Sequence, residues 1–311
     1  MVNVLIVGGA GYVGGGIVDK LNQKYNVTVY DSLIYEESYR KDVNFINGDI
    51  RETDKLLPLL DKSDVVIWLA ALVGDGACAI NPKLTFEINS ESVKFLVENF
   101  KKRIVFLSTC SVYGAQDGLL DENSSVNPLS EYASSKVQAE EYLEGTNSII
   151  FRLGTLFGIS DEFSRIRLDL VVNILVTKAL TEGKLTVFGG DQWRPLLHVT
   201  DVANAIDHTI EMDVTGIFNL HYKNYKIVEI ANEIINKIPN ATIETTPMKF
   251  QDARNYQVSS DKLYNETGFK SDVELTQGID EVYNLIASKR IKNVNHIRYS
   301  NQNFLEKYGI N

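Results

Sequence analysis

Three side chains in the middle of the sequence have the types and spacing needed to move a proton. Tyr132 and Lys136 stand four residues apart in a predicted helix, Glu131 to Glu144, and therefore share one face of it. A free tyrosine has a pKa of about 10 and is protonated at neutral pH, but a neighbouring ammonium group favours the phenolate. The hydroxyl of Thr109, about twenty residues earlier, can orient a substrate oxygen. Together these residues predict acid/base chemistry on a hydroxyl group.

The position of Thr109 gives this prediction its weight, because a helical tyrosine and lysine at this spacing are usually an exposed surface pair. Thr109 lies in the polar stretch Ser108 to Gly114 (STCSVYG), directly after the buried-type strand Arg103 to Leu107 (RIVFL). Parallel α/β sheets bind their ligands at the carboxyl ends of the strands. The three side chains are therefore expected at one such edge.

A glycine-rich turn near the start of the chain predicts a phosphate site at the same edge. Val2 to Val7 is a short apolar run of strand length, and an apolar-periodic helix follows it. Gly8, Gly11 and Gly14 stand three apart, and Gly9 with the last two also satisfies G-x-G-x-x-G. A pyrophosphate reaches backbone N–H groups at a helix N-terminus only where no Cβ intervenes. The alternative is an ordinary strand-to-helix turn.

Asp31 extends the glycine pattern to a dinucleotide. It ends a second strand, Asn26 to Tyr30, about twenty residues after the glycines, where a carboxylate accepts hydrogen bonds from an adenosine ribose. The same charge repels a 2′-phosphate, and no arginine or lysine follows until Arg40, so NAD is favoured over NADP. Asp49, after a third strand at Val43 to Ile46, is a candidate for the adenine amino group. The alternative for Asp31 is a solvated residue at a strand end.

Strands and helices alternate through the first half of the chain. Asp64 to Leu72 is an almost unbroken apolar run, as expected of a strand covered on both faces, and Pro82 to Phe100 has helical spacing. Ser148 to Leu153 is a sixth strand. This alternation predicts an α/β fold with a doubly wound parallel sheet.

The pattern changes after the sixth strand, so we expect two domains. Residues 1–153 would bind the dinucleotide, and residues 154–311 would mainly form a smaller C-terminal α/β domain for the substrate. A helix from Thr200, its predicted N-cap, to Met212 lies within a segment near 196–220 that returns to the first domain. The last twenty or so residues match no pattern, and we expect them to dock on a neighbouring molecule.

Four arginines of the second half are candidates for binding a diphosphate. A planar guanidinium binds such a group bidentately, and an acidic chain needs specific basic residues to hold a phosphorylated ligand. The candidates are Arg165, Arg167, Arg194 and Arg254. The alternative for Arg165 and Arg167 is an ordinary exposed position.

Composition excludes several other classes of function. The 311 residues are 44% hydrophobic and carry a formal net charge of −10, which argues against sequence-independent nucleic-acid binding and against anionic membranes. Cys78 and Cys110 are too few for a disulfide framework and are not spaced as metal ligands, and the histidines show no zinc pattern. The longest apolar run, Val65 to Val73, is too short to span a bilayer. We therefore expect a cytoplasmic protein without a bound metal.

The motifs together resemble the extended short-chain dehydrogenase/reductases that act on nucleotide sugars, the NAD-dependent epimerase/dehydratase family. The resemblance covers nearly the whole chain and implies a Rossmann fold with NAD as the cofactor. It is carried by GGAGYVG (8–14), Asp31, GDI (48–50), LAAL (69–72), Asn89, STCSVYG (108–114), YASSK (132–136), RLGTLFG (152–158) and WRPLLHVTDVA (193–203).

The resemblance also implies roles for particular residues. Tyr132 would be the acid/base, Lys136 would bind the nicotinamide ribose and lower the pKa of Tyr132, and Thr109 fills the usual Ser/Thr position. A homodimer would form through the helices Pro82 to Phe100 and Glu131 to Glu144. The implied cofactor-binding positions are Gly8, Gly11, Tyr12, Val13, Gly14, Asp31, Asp49, Ile50, Leu69, Ala70, Ala71, Tyr132 and Lys136. The implied positions for a nucleotide-diphosphate sugar are Thr109, Ser111, Asn173, Arg194 and Arg254.

Departures from the family pattern bear on the type of reaction. Sugar dehydratases of this family carry Asp-Glu after the catalytic threonine, because elimination of water needs a second acid and base. Cys110 and Ser111 stand there instead, and serine is a poor base, so dehydration is disfavoured. Thr155 replaces an asparagine found in many relatives, so contacts near it would differ from those of the galactose epimerases.

Oxidation of a ring hydroxyl, most simply at C4, remains. STCSVYG, RLDLVVN and QWRPLLHV resemble the GDP-manno-heptose 4-dehydrogenases that supply precursors for surface polysaccharides. A nucleotide-sugar 4-epimerase that returns the hydride internally is the alternative reaction. An NAD-binding regulatory protein that has lost catalysis is the non-enzymatic alternative.

Overall fold

The computed structural model describes residues 1–161, 163–247 and 254–310. Its strands are β1 (Asn3–Val7), β2 (Asn26–Asp31), β3 (Asn44–Asn47), β4 (Val65–Trp68), β5 (Arg103–Thr109), β6 (Ala115–Leu120), β7 (Ser148–Leu153), β8 (Thr155–Phe157), β9 (Lys184–Phe188), β10 (Trp193–His198), β11 (Gly216–Leu220), β12 (Lys223–Lys226), β13 (Thr242–Thr246) and β14 (Asn255–Val258). Its α-helices are α1 (Gly14–Leu21), α2 (Thr53–Lys62), α3 (Asp75–Ala79), α4 (Pro82–Phe86), α5 (Ser92–Asn99), α6 (Glu131–Leu143), α7 (Val171–Glu182), α8 (Val199–Thr209), α9 (Ile227–Lys237), α10 (Asp261–Thr267), α11 (Leu275–Ala287) and α12 (Asn301–Tyr308).

The main sheet has seven parallel strands in the order β11-β7-β5-β4-β1-β2-β3. From β1 the chain first moves outward through β2 and β3, and then continues on the other side of β1 with β4 and β5. The strand order therefore reverses between β1 and β4, which is where a doubly wound sheet opens its ligand crevice. The predicted fold class is confirmed.

The apolar residues of β1 show why this sheet is buried on both faces. Val4 and Ile6 pack with Ile17 of α1 in one core cluster, whereas Leu5 and Val7 pack with α2 and α5 in another. Successive side chains of a strand point to opposite faces, so a strand covered by helices on both sides must be apolar throughout. The unbroken apolar run seen in the sequence is the consequence.

The predicted helix Pro82 to Phe100 contains a π-helical turn. α4 leads into this turn at Glu87–Glu91, and α5 continues from it to Asn99. Single π-turns of this kind are frequent at functional sites. The turn carries Asn89, which is fully buried and faces the end of β4.

Smaller sheets and helices form the C-terminal part of the fold. α7, α9 and α11 enclose a separate apolar cluster with β9 and β10. β10 lies between β12 and β8, β13 pairs with β9, and β14 pairs with β6. Because β6 follows the tip of β5, the β14–β6 pair brings Arg254, the residue before β14, close to Thr109 and Ser111.

Two local expectations are wrong. α8 begins at Val199 and its N-cap is His198, whose Nδ1 accepts a hydrogen bond from the Thr200 N–H at 3.2 Å, so Thr200 is not the N-cap. The C-terminal residues pack within their own chain. Leu305 is 4% exposed in the core, and the Phe304 ring packs edge-on against Tyr35 with centroids 5.1 Å apart.

The described residues also answer the questions raised by composition. No helix among them combines the length and apolar character needed to cross a bilayer. Within the same ranges, His, Cys, Asp and Glu side chains form no group of three or more that could hold a metal ion. Cys78 and Cys110 are both buried and both free.

Candidate active site

A cavity at the carboxyl ends of β1, β2 and β4 brings the predicted cofactor residues together. Every cofactor-binding position implied by the sequence lines it, from Gly8 in the glycine turn to Lys136 on α6. The residues come from five separate stretches of the chain. The doubly wound topology brings them together, because parallel strands all end at the same edge.

Gly8 and Gly14 shape the phosphate end of this cavity. Gly8 has a φ of +86°, and a Cβ on it would lie 2.4 Å from the backbone nitrogen of Ala70. A Cβ on Gly14 would lie 2.4 Å from the carbonyl oxygen of Gly9. Val13 provides no side-chain cap at the start of α1, and Val13 and Gly14 line the cavity, whereas the Gly16 N–H of the first turn donates to the Ser160 hydroxyl at 2.8 Å. This arrangement fits a pyrophosphate.

Asp31 connects the end of β2 to the glycine turn. Its Oδ2 accepts a 2.9 Å hydrogen bond from the Ala10 N–H, and its Oδ1 accepts a 2.8 Å hydrogen bond from the Leu33 N–H. Burial raises the pKa of its carboxyl group, and the two backbone donors act in the opposite direction. Each carboxylate oxygen keeps a further lone pair. Asp31 therefore fixes the turn and keeps acceptor capacity, and its contact with a ribose stays a prediction.

Asp49 and Ile50 line the adenine end of the cavity, but the Asp49 side chain already has a partner. Its two oxygens accept hydrogen bonds of 2.8 to 2.9 Å from the Arg51 guanidinium, which holds the pKa of the carboxyl group below its usual range. A contact to an adenine amino group would have to share these oxygens with Arg51. That contact stays a prediction.

Lys136 lies at the inner end of the cavity, on the face of α6 that packs on the sheet. Its Nζ donates a 2.9 Å hydrogen bond to the carbonyl oxygen of Leu107 and stands 4.6 Å from the centroid of the Phe106 ring. Burial lowers the pKa of the amine to about 8. The ammonium is therefore held in place by β5 while its other N–H groups remain able to bind a ligand.

Tyr132 lies one turn earlier on the same face of α6, and burial raises the pKa of its phenol. The Arg167 charge and the Thr109 side chain act in the opposite direction. The expected lowering of this pKa by Lys136 is not what the structure shows: burial has the largest effect, and Arg167 and Thr109 are the groups that oppose it. The phenol is therefore protonated at neutral pH, and a further positive charge is needed to make it a base.

Asn89 fixes the geometry around these two residues. Its Oδ1 accepts a 2.8 Å hydrogen bond from the Leu72 N–H, and its Nδ2 donates to the Leu72 carbonyl at 2.9 Å and to the Ser135 hydroxyl at 3.1 Å. Ser135 precedes Lys136 on α6. A buried amide with all these bonds made connects the loop after β4 to α6.

A buried ion pair connects α6 to the main sheet. Glu140, one turn after Lys136, accepts hydrogen bonds from the Arg152 guanidinium of β7 at 2.6 Å and from the Ser108 hydroxyl of β5 at 2.5 Å. Both charged side chains are 5% exposed. Losing either partner would leave an uncompensated buried charge. This pair leaves no signal in the sequence, because its two charges stand on separate elements.

The predicted substrate residues meet beside the tip of β5. The Thr109 hydroxyl accepts a 3.1 Å hydrogen bond from the Ser111 N–H and begins a 3₁₀ turn, Cys110–Tyr113. Nη1 of Arg254 lies 3.4 Å from the Ser111 hydroxyl, and the Arg254 carbonyl accepts a 2.6 Å hydrogen bond from Nη1 of Arg194. The arginines are thus adjacent to each other, and Arg254 lies beside Ser111, two residues after Thr109.

Asn173 is placed differently from the other predicted substrate residues. It is fully buried in α7. Its Oδ1 accepts a 3.0 Å hydrogen bond from the Gly158 N–H, and its Nδ2 donates to the carbonyl of Gly158 at 3.0 Å and to that of Arg167 at 2.8 Å. These bonds hold the loop between β8 and α7 in position. A direct contact with a diphosphate stays a prediction.

Arg165 and Arg167 occupy neither of the two positions considered for them. They are 5% and 8% exposed, so the interpretation as surface residues is wrong. They line the cofactor cavity rather than the region of Arg194 and Arg254. Tyr35 and Asn301, which the sequence did not single out, line the cavity with them.

Cys110 is enclosed behind the tip of β5. Its side chain is 0% exposed, its thiol donates to the Arg152 carbonyl at 3.2 Å, and burial raises its pKa. A thiol in this state is a weak acid and has no access to a substrate. The residue that stands where sugar dehydratases carry an acid therefore cannot replace it.

The chain is similar to known proteins over most of its length. The model of the NAD dependent epimerase/dehydratase family matches residues 4–221. A Methanocaldococcus jannaschii protein named "Putative UDP-glucose 4-epimerase" is 30% identical over 309 residues, which cover 90% of this chain and 97% of that protein.

Two solved structures share the fold at lower sequence identity. The UDP-glucose 4-epimerase of Thermotoga maritima, solved with UDP-glucose, is 20% identical, with a TM-score of 0.82 and coverage of 93% of this chain and 99% of its own. The UDP-glucose 4-epimerase of Thermus thermophilus, solved with NAD, is 23% identical, with a TM-score of 0.79 and coverage of 91% and 98%. With the family model matching most of its length and the glycine turn, Tyr132 and Lys136 on one cavity, this chain belongs to the NAD-dependent epimerase/dehydratase family of nucleotide-sugar enzymes.

Proposed function

We propose that this enzyme oxidises the C4 hydroxyl of a nucleotide-diphosphate sugar with NAD and leaves every oxygen on the sugar. The observation that carries the proposal is the placement of one acid/base system, Tyr132 with Lys136 and Thr109, beside a Cys110 that is buried away from the cleft. One acid/base suffices for oxidation of an alcohol, whereas elimination of water requires a second.

The residues of the chain have separate tasks in this reaction. The glycine turn and Asp31 hold the dinucleotide, which when bound supplies a hydride acceptor and a cationic ring. Tyr132 takes the proton of the sugar hydroxyl at its Oη, Lys136 stabilises the resulting phenolate from its fixed position on Leu107, and Thr109 orients the hydroxyl. Arg194 and Arg254 bind the diphosphate beside the tip of β5.

Net dehydrogenation is the form of the reaction that we favour, with a GDP-heptose as the candidate substrate. Its support is the likeness of STCSVYG, RLDLVVN and QWRPLLHV to the GDP-manno-heptose 4-dehydrogenases. Precursors of capsule or surface polysaccharides would be the products. The second candidate is a 4-epimerase, which the names of the Methanocaldococcus jannaschii, Thermotoga maritima and Thermus thermophilus proteins favour.

A panel of GDP-, UDP-, dTDP- and CDP-sugars tests the proposal. A dehydrogenase accumulates NADH absorbance and gives a 4-keto product that is 2 daltons lighter. An epimerase leaves NADH at a low steady level and gives an isomer with inverted C4 in the NMR spectrum. A regulatory protein would give neither change with any of the sugars, and that result would reject both enzymatic proposals.

We also propose a homodimer and a cytoplasmic location. The dimer would form through α4, α5 and α6, since a four-helix interface of two such pairs is the arrangement that the family resemblance implies. Light scattering that gives the mass of one chain at micromolar concentration would reject the dimer.

The two free cysteines support a reducing compartment, and fractionation of cells that express the native protein would test the proposed cytoplasmic location.

A further inference from the structure

Arg165 lines the cofactor cavity but comes from a segment that follows the predicted dinucleotide-binding residues 1–153 in the chain. It lies in the connection between β8 and α7, and its guanidinium stacks on the Tyr35 ring with Cζ 3.5 Å from the ring centroid. One amino group, Nη2, donates to the carbonyl of Arg298 at 3.3 Å. Nε is buried and has no hydrogen-bond partner among the described residues. An unpaired buried donor is costly, and a ligand acceptor would remove that cost.

Two further polar atoms on the same cavity lack partners. The hydroxyl of Tyr35 is buried and unpaired within the described part of the chain, and so is Oδ1 of Asn301 at the start of α12. Asn301 is itself anchored, because its Nδ2 donates to the Val73 carbonyl at 2.7 Å. Two donors and one acceptor without partners, from three distant segments, thus belong to residues that line one cavity. This set matches the oxygens of a phosphate and the hydroxyl of a ribose.

The charges around Arg165 favour an anion. Arg167 is bound to Asp169 with its Nε 2.9 Å from Oδ1, and Arg298 is paired with Glu36. Arg165, Arg167 and Arg298 are three cations against these two carboxylates, so the group keeps one uncompensated positive charge. Buried excess charge of this kind is unfavourable without a counter-charge.

The location of the excess charge indicates which part of the cofactor it meets. Arg167 acts electrostatically on Tyr12, beside the start of α1, and on Tyr132, where it favours both phenolates. Arg165 and Arg167 line the same cavity as the glycine turn and Lys136 of α6. In a dinucleotide, the pyrophosphate is the anionic group that occupies the corresponding position between adenosine and nicotinamide.

We propose that Arg165 and Tyr35 bind the pyrophosphate of NAD in addition to the glycine turn, and that Asn301 accepts a hydrogen bond from one of its riboses. The connection between β8 and α7 and the C-terminal helix α12 then enclose the cofactor. The inference depends on NAD binding and is independent of which sugar is oxidised. It gives the C-terminal residues a role inside their own chain.

The test compares ADP with adenosine as competitors of NADH bound to the full-length protein, followed by NADH fluorescence. Both competitors carry the adenosine, but only ADP reaches the proposed site. Arg165→Met should reduce the preference for ADP over adenosine by about ten- to a hundredfold, as expected for loss of a hydrogen bond to a charged group. Arg40→Met, which removes an exposed arginine outside the cavity, is the control and should leave the preference unchanged.

A general structural role predicts a different result, because damage to the cavity would weaken adenosine and ADP equally. An unchanged preference in a folded Arg165→Met protein would overturn the proposal. Tyr35→Phe is the second variant, since it keeps the ring under Arg165 and removes only the hydroxyl. It should lower the preference by up to about tenfold. If Arg165→Met does not fold, an unchanged preference in Tyr35→Phe decides against the pyrophosphate contact.

Discussion

Nη1 of Arg254 lies 3.3 Å from Oδ2 of Asp75. The other oxygen of Asp75 accepts a 2.7 Å hydrogen bond from the hydroxyl of Ser130, the N-cap of α6. One carboxylate therefore connects a predicted substrate arginine to the helix that carries Tyr132. The side chains of Arg254 and Asp75 are 30% and 34% exposed, and a partly exposed ion pair contributes little stability. A diphosphate can thus replace Asp75 at small cost.

Arg194→Ala and Arg254→Ala should weaken substrate binding without affecting NAD. Each change removes charge-assisted hydrogen bonds to the diphosphate, so KM for the nucleotide sugar should rise by about ten- to a hundredfold. Steady-state kinetics would measure KM, and titration with NADH would check the cofactor site. Normal binding of the nucleoside diphosphate by both variants would show that other residues bind the diphosphate. Arg165 and Arg167 would then be the remaining candidates, although both line the cofactor cavity.

Asp75→Asn should have the opposite effect on KM. The carboxylate competes with the diphosphate for Arg254, and asparagine removes the competing charge while keeping an acceptor for Ser130. We expect KM to fall by up to about fivefold, the range of an exposed ion pair. Asp272→Asn, at an exposed position after α10, is the matched control. A higher KM in Asp75→Asn would show instead that the carboxylate itself contacts the sugar.

Asp31→Ala should weaken NAD binding more than NADP binding. The change removes an acceptor for the ribose hydroxyls and also the charge that repels a 2′-phosphate. Because Asp31 also accepts from Ala10 and Leu33, Asp31→Asn is needed as a variant that removes the charge but keeps the size of the side chain. Dissociation constants for both cofactors, measured by fluorescence titration, should converge in both variants. Equal loss for the two cofactors would contradict the assignment.

Much of the cofactor site could be predicted because its signals are local in sequence. The glycine turn needs small residues at fixed spacing, and Gly8 and Gly14 show why, since a Cβ on either would meet backbone atoms at 2.4 Å. The end of a buried strand can be located from its apolar run, and topology then brings strand ends together. Asp31 and Thr109 follow from that rule alone.

The unpredicted features all depend on contacts between distant segments. Arg165 and Arg167 look like solvated residues of a polar loop until the connection between β8 and α7 turns toward the cavity. The return of α12 to Tyr35 and Val73 likewise leaves no periodic signal. His198 is the N-cap in place of Thr200. Its Nε2 lies 2.8 Å from Oε2 of Glu281, and this contact orients the ring so that its Nδ1 accepts a hydrogen bond from the Thr200 N–H. Short-range propensity cannot anticipate such positions.

Lys136 should make the stability of the nucleotide-free protein rise with pH. Burial lowers its pKa to about 8, below its value in the unfolded chain, so the folded state is penalised wherever the amine must be charged. The penalty is fully present below pH 8. Between pH 8 and about 10.4 the folded protein has lost this proton while the unfolded chain still binds it, so the stability of the folded state rises with pH across this interval.

Lys136→Met isolates this effect. Relative to the variant, the wild type should gain on the order of 3 kcal/mol in free energy of unfolding as the pH rises from 7 to above 10, whatever the offset from the lost Leu107 hydrogen bond. Urea unfolding of both proteins over this range measures the difference, and groups common to both cancel. Parallel stability curves would mean that Lys136 titrates at its ordinary pKa.

Tyr132→Phe should bind both NAD and the nucleotide sugar but lose most turnover. Phenylalanine keeps the ring that packs in the cavity and removes the only proton acceptor placed beside Thr109 and Lys136 in our proposal. General-base catalysis typically contributes about 10²- to 10⁴-fold, so kcat should fall by at least that range with little change in KM. Cys110→Ala is the matched control, because its thiol is buried and bonded to the Arg152 carbonyl, and it should retain most of the activity. Mass spectrometry of the wild-type product should show every oxygen retained. An 18-dalton loss, or a Cys110→Ala variant as inactive as Tyr132→Phe, would replace simple oxidation with a dehydratase-like or thiol-dependent reaction.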